Sequence, residues 1–311
     1  MPKKEKKNSL LKILGLILLG LIILGFTIKT FLHGHNVALF NPKGMIAHEQ
    51  LRLMLLTAGI LLAAALPVVA VLYFTAWKYR ESNKKAKHEP DSRHGWLLNA
   101  VIWLIPGIIA IILSLIMWPA THRLAPQKPI AADAKPMTIQ VVSMRWKWLF
   151  IYPEQKIATV NYVQLPANIP VQFELTADDA PMSSFWIPNL SGMLYTMTGH
   201  SNHLNIIADT LGDYPGRSGE INGAGFAGMQ FTARVSTAAD FKSWAEGVRM
   251  LDTPLDTTTY DTLLKPSENN AQASYSSVED GLYDTILMKY MNAGGHDHTG
   301  HDNAEHGAHH E

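Results

Sequence analysis

The chain contains no cysteine. That absence removes thiolate-bridged copper centres, because soft sulfur is what holds copper in both oxidation states. It also removes iron–sulfur clusters and covalently attached c-type haem. Disulfides are excluded too, so any exported domain must be stabilised by its own core. Net charge is equally lacking. The 26 basic and 26 acidic residues cancel, and without a basic field nucleic acid is not an expected partner. No phosphate-cradling loop occurs, and no Gly-x-Gly-x-x-Gly follows a strand. His200 and His203 have Ser191, Ser201 and Asp209 nearby in sequence, but proximity along a chain is not a catalytic triad.

What the chain has is a sharp division of polarity. Leu53–Trp77 runs 25 residues and Gly95–Thr121 runs 27 without a charge. At about 1.5 Å per residue each exceeds a hydrocarbon core of about 30 Å, which predicts membrane-spanning helices near 51–77 and 96–120, within a hairpin over 45–125. Pro67 and Pro106 lie inside them, a placement membrane helices tolerate because neighbours satisfy the freed carbonyls. A third apolar run, Ile13–Ile28, follows a lysine-rich start. It makes residues 1–35 a secretory signal or a retained anchor, and no small-x-small cleavage site follows it. The segment between the long runs carries Lys78, Arg80, Lys84, Lys85, Lys87 and Arg93. The positive-inside rule places that loop in the cytoplasm and everything after Thr121 outside the inner membrane.

From about Met137 short β-rich runs alternate with Pro, Gly, Asn and Asp, as in a sandwich or barrel. They define a domain over 135–235. A helical extension is expected over 236–292, with Ser236 or Thr237 capping one helix and acidic residues opening another after Ser277. The last residues, 293–311, hold six of the 14 histidines and almost nothing to bury. They read as a disordered tail, either a solvated extension or a weak zinc or copper binder.

Several motifs form a specific set. Tyr214–Met229 reads YPGRSGEINGAGFAGM. Trp103-Leu104-Ile105-Pro106 lies in the second apolar run, Met144-Arg145-Trp146-Lys147-Trp148 opens the β-rich half, and Ser183-Ser184-Phe185-Trp186-Ile187-Pro188 lies within it. Together they resemble subunit II of the haem–copper respiratory oxidases over roughly residues 40–290. Trp146-Lys147-Trp148 followed by Phe150-Ile151-Tyr152-Pro153-Glu154-Gln155, with Pro266-Ser267-Glu268 further on, resembles the bo-type ubiquinol oxidase branch. In copper-bearing members the loop reads Cys-Ser-Glu-x-Cys-Gly-x-x-His-x-x-Met. Here Ser218 and Asn222 stand at the cysteine positions and Phe226 at the histidine, while Glu220, Gly223 and Met229 stay in register. Ser183 stands where the family's first ligand histidine belongs.

The resemblance implies a membrane-anchored all-β protein: two long helices, with the first apolar run as a third if retained, and an extracytoplasmic cupredoxin-like β-sandwich with a helical C-terminal extension. It implies subunit II of a proton-pumping quinol oxidase in the bacterial inner membrane, coupling ubiquinol oxidation to oxygen reduction. Subunit I would hold the haems and catalytic copper, and this chain would hold no catalytic, cofactor-binding or metal-binding residue. The partners implied are subunit I, further membrane subunits, lipid, and ubiquinol through the complex. Ser183, Ser218, Glu220, Asn222, Phe226 and Met229 would be vestigial copper-site positions, with Phe226 filling volume that a metal and its imidazole would take. Trp146 and Trp148 suit core or subunit-contact packing better than an electron-entry surface. Asn99 replaces a glutamate associated in relatives with the mouth of a proton path. An amide cannot carry a proton as a carboxylate does, so protons enter elsewhere or a neighbour such as His94 contributes. The rival from a different class is a membrane-tethered extracytoplasmic binding or metal-handling protein using the histidine tail.

Overall fold

The computed structural model describes residues 25–26, 37–83, 95–131 and 134–291. Most of the expected N-terminal signal or anchor, the basic residues from Lys84 to Arg93, His94 and the histidine-rich tail lie outside them. Residues 1–42 form one unit, whose described part holds a 3-10 turn at Ala38–Phe40. The rest of the chain, from Lys43, forms the other.

Two helices open the larger unit, α1 (Met45–Lys78) and α2 (Trp96–Arg123). Their 34 and 28 residues span about 50 and 40 Å, longer than the apolar core of a bilayer. Both are apolar enough to cross a membrane. Along them only Ala47 and Ala120 are buried, so their surface suits lipid or another membrane helix rather than water. The chain is membrane-anchored. α1 begins eight residues before the uncharged run because His48, Glu49 and Arg52 form its first turns above the apolar stretch.

Thirteen strands follow: β1 (Met137–Met144), β2 (Lys147–Tyr152), β3 (Ile157–Val160), β4 (Tyr162–Pro166), β5 (Val171–Ala177), β6 (Ser183–Trp186), β7 (Leu194–Thr196), β8 (Asn202–Ile206), β9 (Gly212–Ser218), β10 (Gln230–Ser236), β11 (Pro254–Leu255), β12 (Ala273–Tyr275) and β13 (Ser277–Val278). One sheet has the order β12-β3-β2-β1-β5-β8 and the facing sheet β4-β10-β9-β6-β7. β1 runs parallel to β5 and antiparallel to β2, and β10 runs parallel to β4 and antiparallel to β9. This is a cupredoxin-like two-sheet sandwich. Its centre is aromatic: Phe185 and Phe231 stack at 5.1 Å with 7° between planes, and Trp148 meets Phe185 edge-on at 5.4 Å.

β2 departs from the inside–outside alternation of a solvated sheet, since all six of its residues are buried. The reason lies in the C-terminal helices α3 (Ala238–Arg249), α4 (Thr257–Leu264) and α5 (Leu282–Met291). Trp148, Phe150 and Tyr152 point into the sandwich. Leu149 and Ile151, with Val142 and Met144, point outward into a second core built with Leu255, Tyr260, Tyr283 and Ile286. A strand covered on both faces has no polar side to show. Local chemistry starts two of these helices, while the one expected to open at Ser277 begins instead at Leu282, because Ser277–Val278 pairs as β13. Thr237 caps α3 by accepting from Asp240 N at 3.1 Å, and Asp256 caps α4 by accepting from Thr259 N at 2.8 Å.

The helix pair is fastened to the sandwich at both of its outer ends. Gly44, just before α1, bridges Ala208, and Met45 N donates to Ile207 O at 3.2 Å. After α2, Pro126 O accepts from Asn205 N at 3.0 Å and from Asn205 Nδ2 at 3.1 Å. His48 and Asp209 approach to 3.3 Å beside the first of these contacts.

Candidate functional site

The loop between β9 and β10 sits against the start of β6. Pairing of Phe185 with Ser218 and of Trp186 with Arg217 sets that register. Gly219 N donating to Ser184 O at 3.0 Å and Ser218 N donating to Met229 O at 3.3 Å close the loop's neck. These contacts bring Ser183, Asn222 and Met229 together although they are far apart in sequence. Asn222 Nδ2 donates to Ser183 Oγ at 2.7 Å and to Met229 Sδ at 3.1 Å. Ser183 Oγ in turn donates to Pro181 O at 3.1 Å, and Ser218 Oγ donates to Glu220 O at 3.0 Å. Ser183, Ser218, Asn222 and Met229 are all buried. The cluster is neutral and contains one thioether, no thiolate and no imidazole. Among the described residues no group of three or more His, Cys, Asp or Glu could hold a metal ion. The donor set does not fit a dinuclear copper centre: Asn222 Nδ2 engages Ser183 and Met229, Ser218 Oγ engages the Glu220 carbonyl, and Asn222 Oδ1 is buried without a partner.

Two of the six positions play lesser parts. Glu220 is partly exposed, and its carboxylate accepts from Ser184 Oγ at 3.5 Å. Phe226 is half-buried in a 3-10 turn at Phe226–Gly228. The side chain that bridges Ser183 and Met229 is the amide of Asn222. An amide that reaches both neighbours satisfies their polar atoms, which a phenyl ring cannot do.

Trp146 covers the loop from outside. It sits at the β1–β2 hairpin with φ of 64°, in the left-handed region that costs a bulky residue energy. Its indole lies so close to Gly225 that a Cβ there would collide with it, and Gly223 takes φ of 125°. Both glycines are therefore required by geometry. Trp148, two residues on, is fully buried in the aromatic core. Trp148 has no exposed face, whereas Trp146 is partly exposed.

Next to the loop lie two groups that the motifs did not single out. Asp178 is 1% exposed and follows β5. Its Oδ2 accepts from Tyr260 Oη at 2.6 Å, and its Oδ1 from Tyr290 Oη at 2.7 Å and Lys289 Nζ at 2.8 Å. Tyr290 Oη accepts from Asp179 N at 2.8 Å. Burial, then the bond to Asp178, pushes the Tyr260 phenol above its ordinary value. Lys147 is 1% exposed and donates to Leu263 O at 2.7 Å, Lys265 O at 2.8 Å and Ser267 Oγ at 2.6 Å. It thereby caps the carboxyl end of α4, where the helix dipole favours a cation. Burial lowers its pKa. A lysine amid Trp-Lys-Trp-Leu-Phe was the available signal, since an apolar strand rarely admits a charge without a use for it. Asp178 sits in an ordinary acidic turn and offered none.

Residues 252–294 match the COX Aromatic Rich Motif family model, the segment that Lys147 and Asp178 hold. The periplasmic domain of subunit II of cytochrome oxidase from Bradyrhizobium japonicum aligns at 22% identity, covering 39% of this chain and 96% of that one with a TM-score of 0.36. Cytochrome bo(3) ubiquinol oxidase subunit 2 of Pseudomonas putida is 44% identical over 265 residues, 85% of this chain and 84% of that protein. The protein of the same description from Pseudomonas aeruginosa is 41% identical over 280 residues, 89% and 84% of the two chains. Ubiquinol oxidase subunit 2 of Acetobacter aceti is 37% identical over 263 residues, 84% and 85%. With identity of this level spread over so much of both sequences, the chain belongs to the subunit II family of the haem–copper respiratory oxidases, in its bo-type ubiquinol oxidase branch.

Proposed function

We propose that this chain is the copper-free, non-catalytic second subunit of a proton-translocating ubiquinol oxidase of the bacterial inner membrane. Its β-sandwich lies on the periplasmic side, as the basic loop between α1 and α2 requires. Its helices pack on a haem-bearing subunit I, which holds the haems, the catalytic copper and the quinol site. The observation that carries this reading is the cluster of Ser183, Ser218, Asn222 and Met229, in which Asn222 bonds Ser183 and Met229, Ser218 bonds the Glu220 carbonyl, and every donor is neutral. A lipid-soluble donor reaches subunit I from within the bilayer, so no relay through a water-facing domain is required. What remains for this chain is structural: anchoring, covering the outer face of subunit I, and holding the C-terminal motif in place.

The test is substrate choice by the purified assembly. It is expected to oxidise ubiquinol with oxygen and to leave reduced soluble cytochrome c untouched. Turnover of cytochrome c without quinol would overturn the proposal.

A further inference from the structure

Beyond the loop and the C-terminal motif, a large space lies between the membrane helices. It is a cleft of about 830 Å³ lined by Leu53, Met54, Ala58, Leu61, Leu113 and Met117, among others, and its surface is almost wholly apolar. It joins, through Gln50, Leu124, Ala125 and Pro126, a smaller space of about 430 Å³ whose lining includes Glu49, Arg123 and Lys128. The cleft therefore has an apolar shaft and a charged mouth. Arg123 Nη2 donates to Glu49 Oε2 at 3.1 Å across that mouth. Its two cations outnumber its one carboxylate, which favours an anionic group.

Depth decides what fits. From Gln50 to Leu61 α1 descends about 16 Å, close to half of a hydrocarbon core of about 30 Å. On α2 the lining ends at Leu113, well short of the far side. A helix of a partner subunit would run through both leaflets and is about 10 Å across. A ligand one leaflet deep, flexible, apolar in its body and phosphate-bearing at its head matches the outline better. We propose that this cleft binds an acyl chain of an outer-leaflet phospholipid, whose headgroup phosphate rests against Arg123 and Lys128 while Glu49 faces any ammonium. The lipid supplies packing to the faces of α1 and α2 that line the cleft. It acts as a wedge that sets their separation where they enter the sandwich.

The experiment uses the intact assembly purified in mild detergent. A benzophenone side chain is placed at Leu113, the sample is irradiated, and the mass of this subunit is measured. The expected product carries the added mass of one phospholipid. Crosslinking to another polypeptide, or no adduct despite full incorporation of the probe, would overturn the proposal. In a second arm, A58W fills the shaft. The count of tightly bound phospholipids per complex is expected to fall by one, with ubiquinol oxidation retained, and an unchanged count would overturn the proposal. Because the readouts are lipid adducts and lipid counts, they stand apart from the choice of electron donor tested above.

Discussion

Two buried polar regions lie within one domain, and they are built in opposite ways. The loop of Ser183, Ser218 and Asn222 holds only neutral groups, each making one or two bonds. The seam beneath the C-terminal motif holds a carboxylate and an ammonium, each 1% exposed and each making three bonds to other residues. A charge inside a protein is costly unless its partners surround it. The seam keeps its charges because they join segments at least 82 residues apart. The buried cluster of the loop carries none, its one nearby carboxylate, Glu220, being partly exposed. Charge placed where it fastens the chain, and neutral hydrogen bonds in the loop, are what the proposed structural role calls for.

That contrast predicts a graded series of effects. D178A should be the most damaging, at about 3 kcal/mol, because it strands Tyr260 and Tyr290 hydroxyls and leaves Lys289 without its partner. Hydrogen exchange should show α5 losing protection first while the sandwich strands keep theirs. Uniform loss across the domain would mean that Asp178 supports the sandwich rather than the seam. K147M should cost about 1–3 kcal/mol, since three acceptors lose a charged donor, and the loss should centre on the end of α4. If α4 stays fully protected, the cap is dispensable. N222A should cost about 1 kcal/mol, the typical worth of a neutral hydrogen bond, and leave ubiquinol turnover unchanged. A large fall in turnover would show that the loop still takes part in the chemistry.

The smallest effect belongs to the surface. Asp213 accepts from Arg234 at 2.6 and 2.7 Å, and that hydrogen bond is the main reason its carboxyl titrates below the ordinary 3.8. A depressed folded-state value means the stabilisation is present above pH 3.8 and is lost as pH falls through the lower value. The pair is well exposed, so D213N should cost less than about 1 kcal/mol. The difference between D213N and the parent chain should vanish in acid. A difference that persists there would assign the effect to packing instead of charge.

Legibility from sequence followed the range of each interaction. The membrane helices were readable because 25 uncharged residues admit few alternatives, although the start of α1 was not, since it rests on bonds to Ile207 and Asn189 from a distant loop. The β-rich half and the loop frame were readable from turn residues and motif spacing. The content of the loop was only half readable. Absence of cysteine excluded a thiolate-bridged copper pair, yet that Asn222 bonds both Ser183 and Met229 depends on where the chain turns in three dimensions. The double cover on β2 also lay beyond local pattern, because the residues that bury its outer face come from Leu255 to Ile286.

The central claim is that the loop frame has no capacity for a dinuclear copper centre. Electron paramagnetic resonance of the purified full-length chain, loaded with copper under reducing conditions and then partly oxidised, tests it directly. The account predicts no signal from an electron shared between two coppers. A mixed-valence copper pair in that spectrum would contradict it.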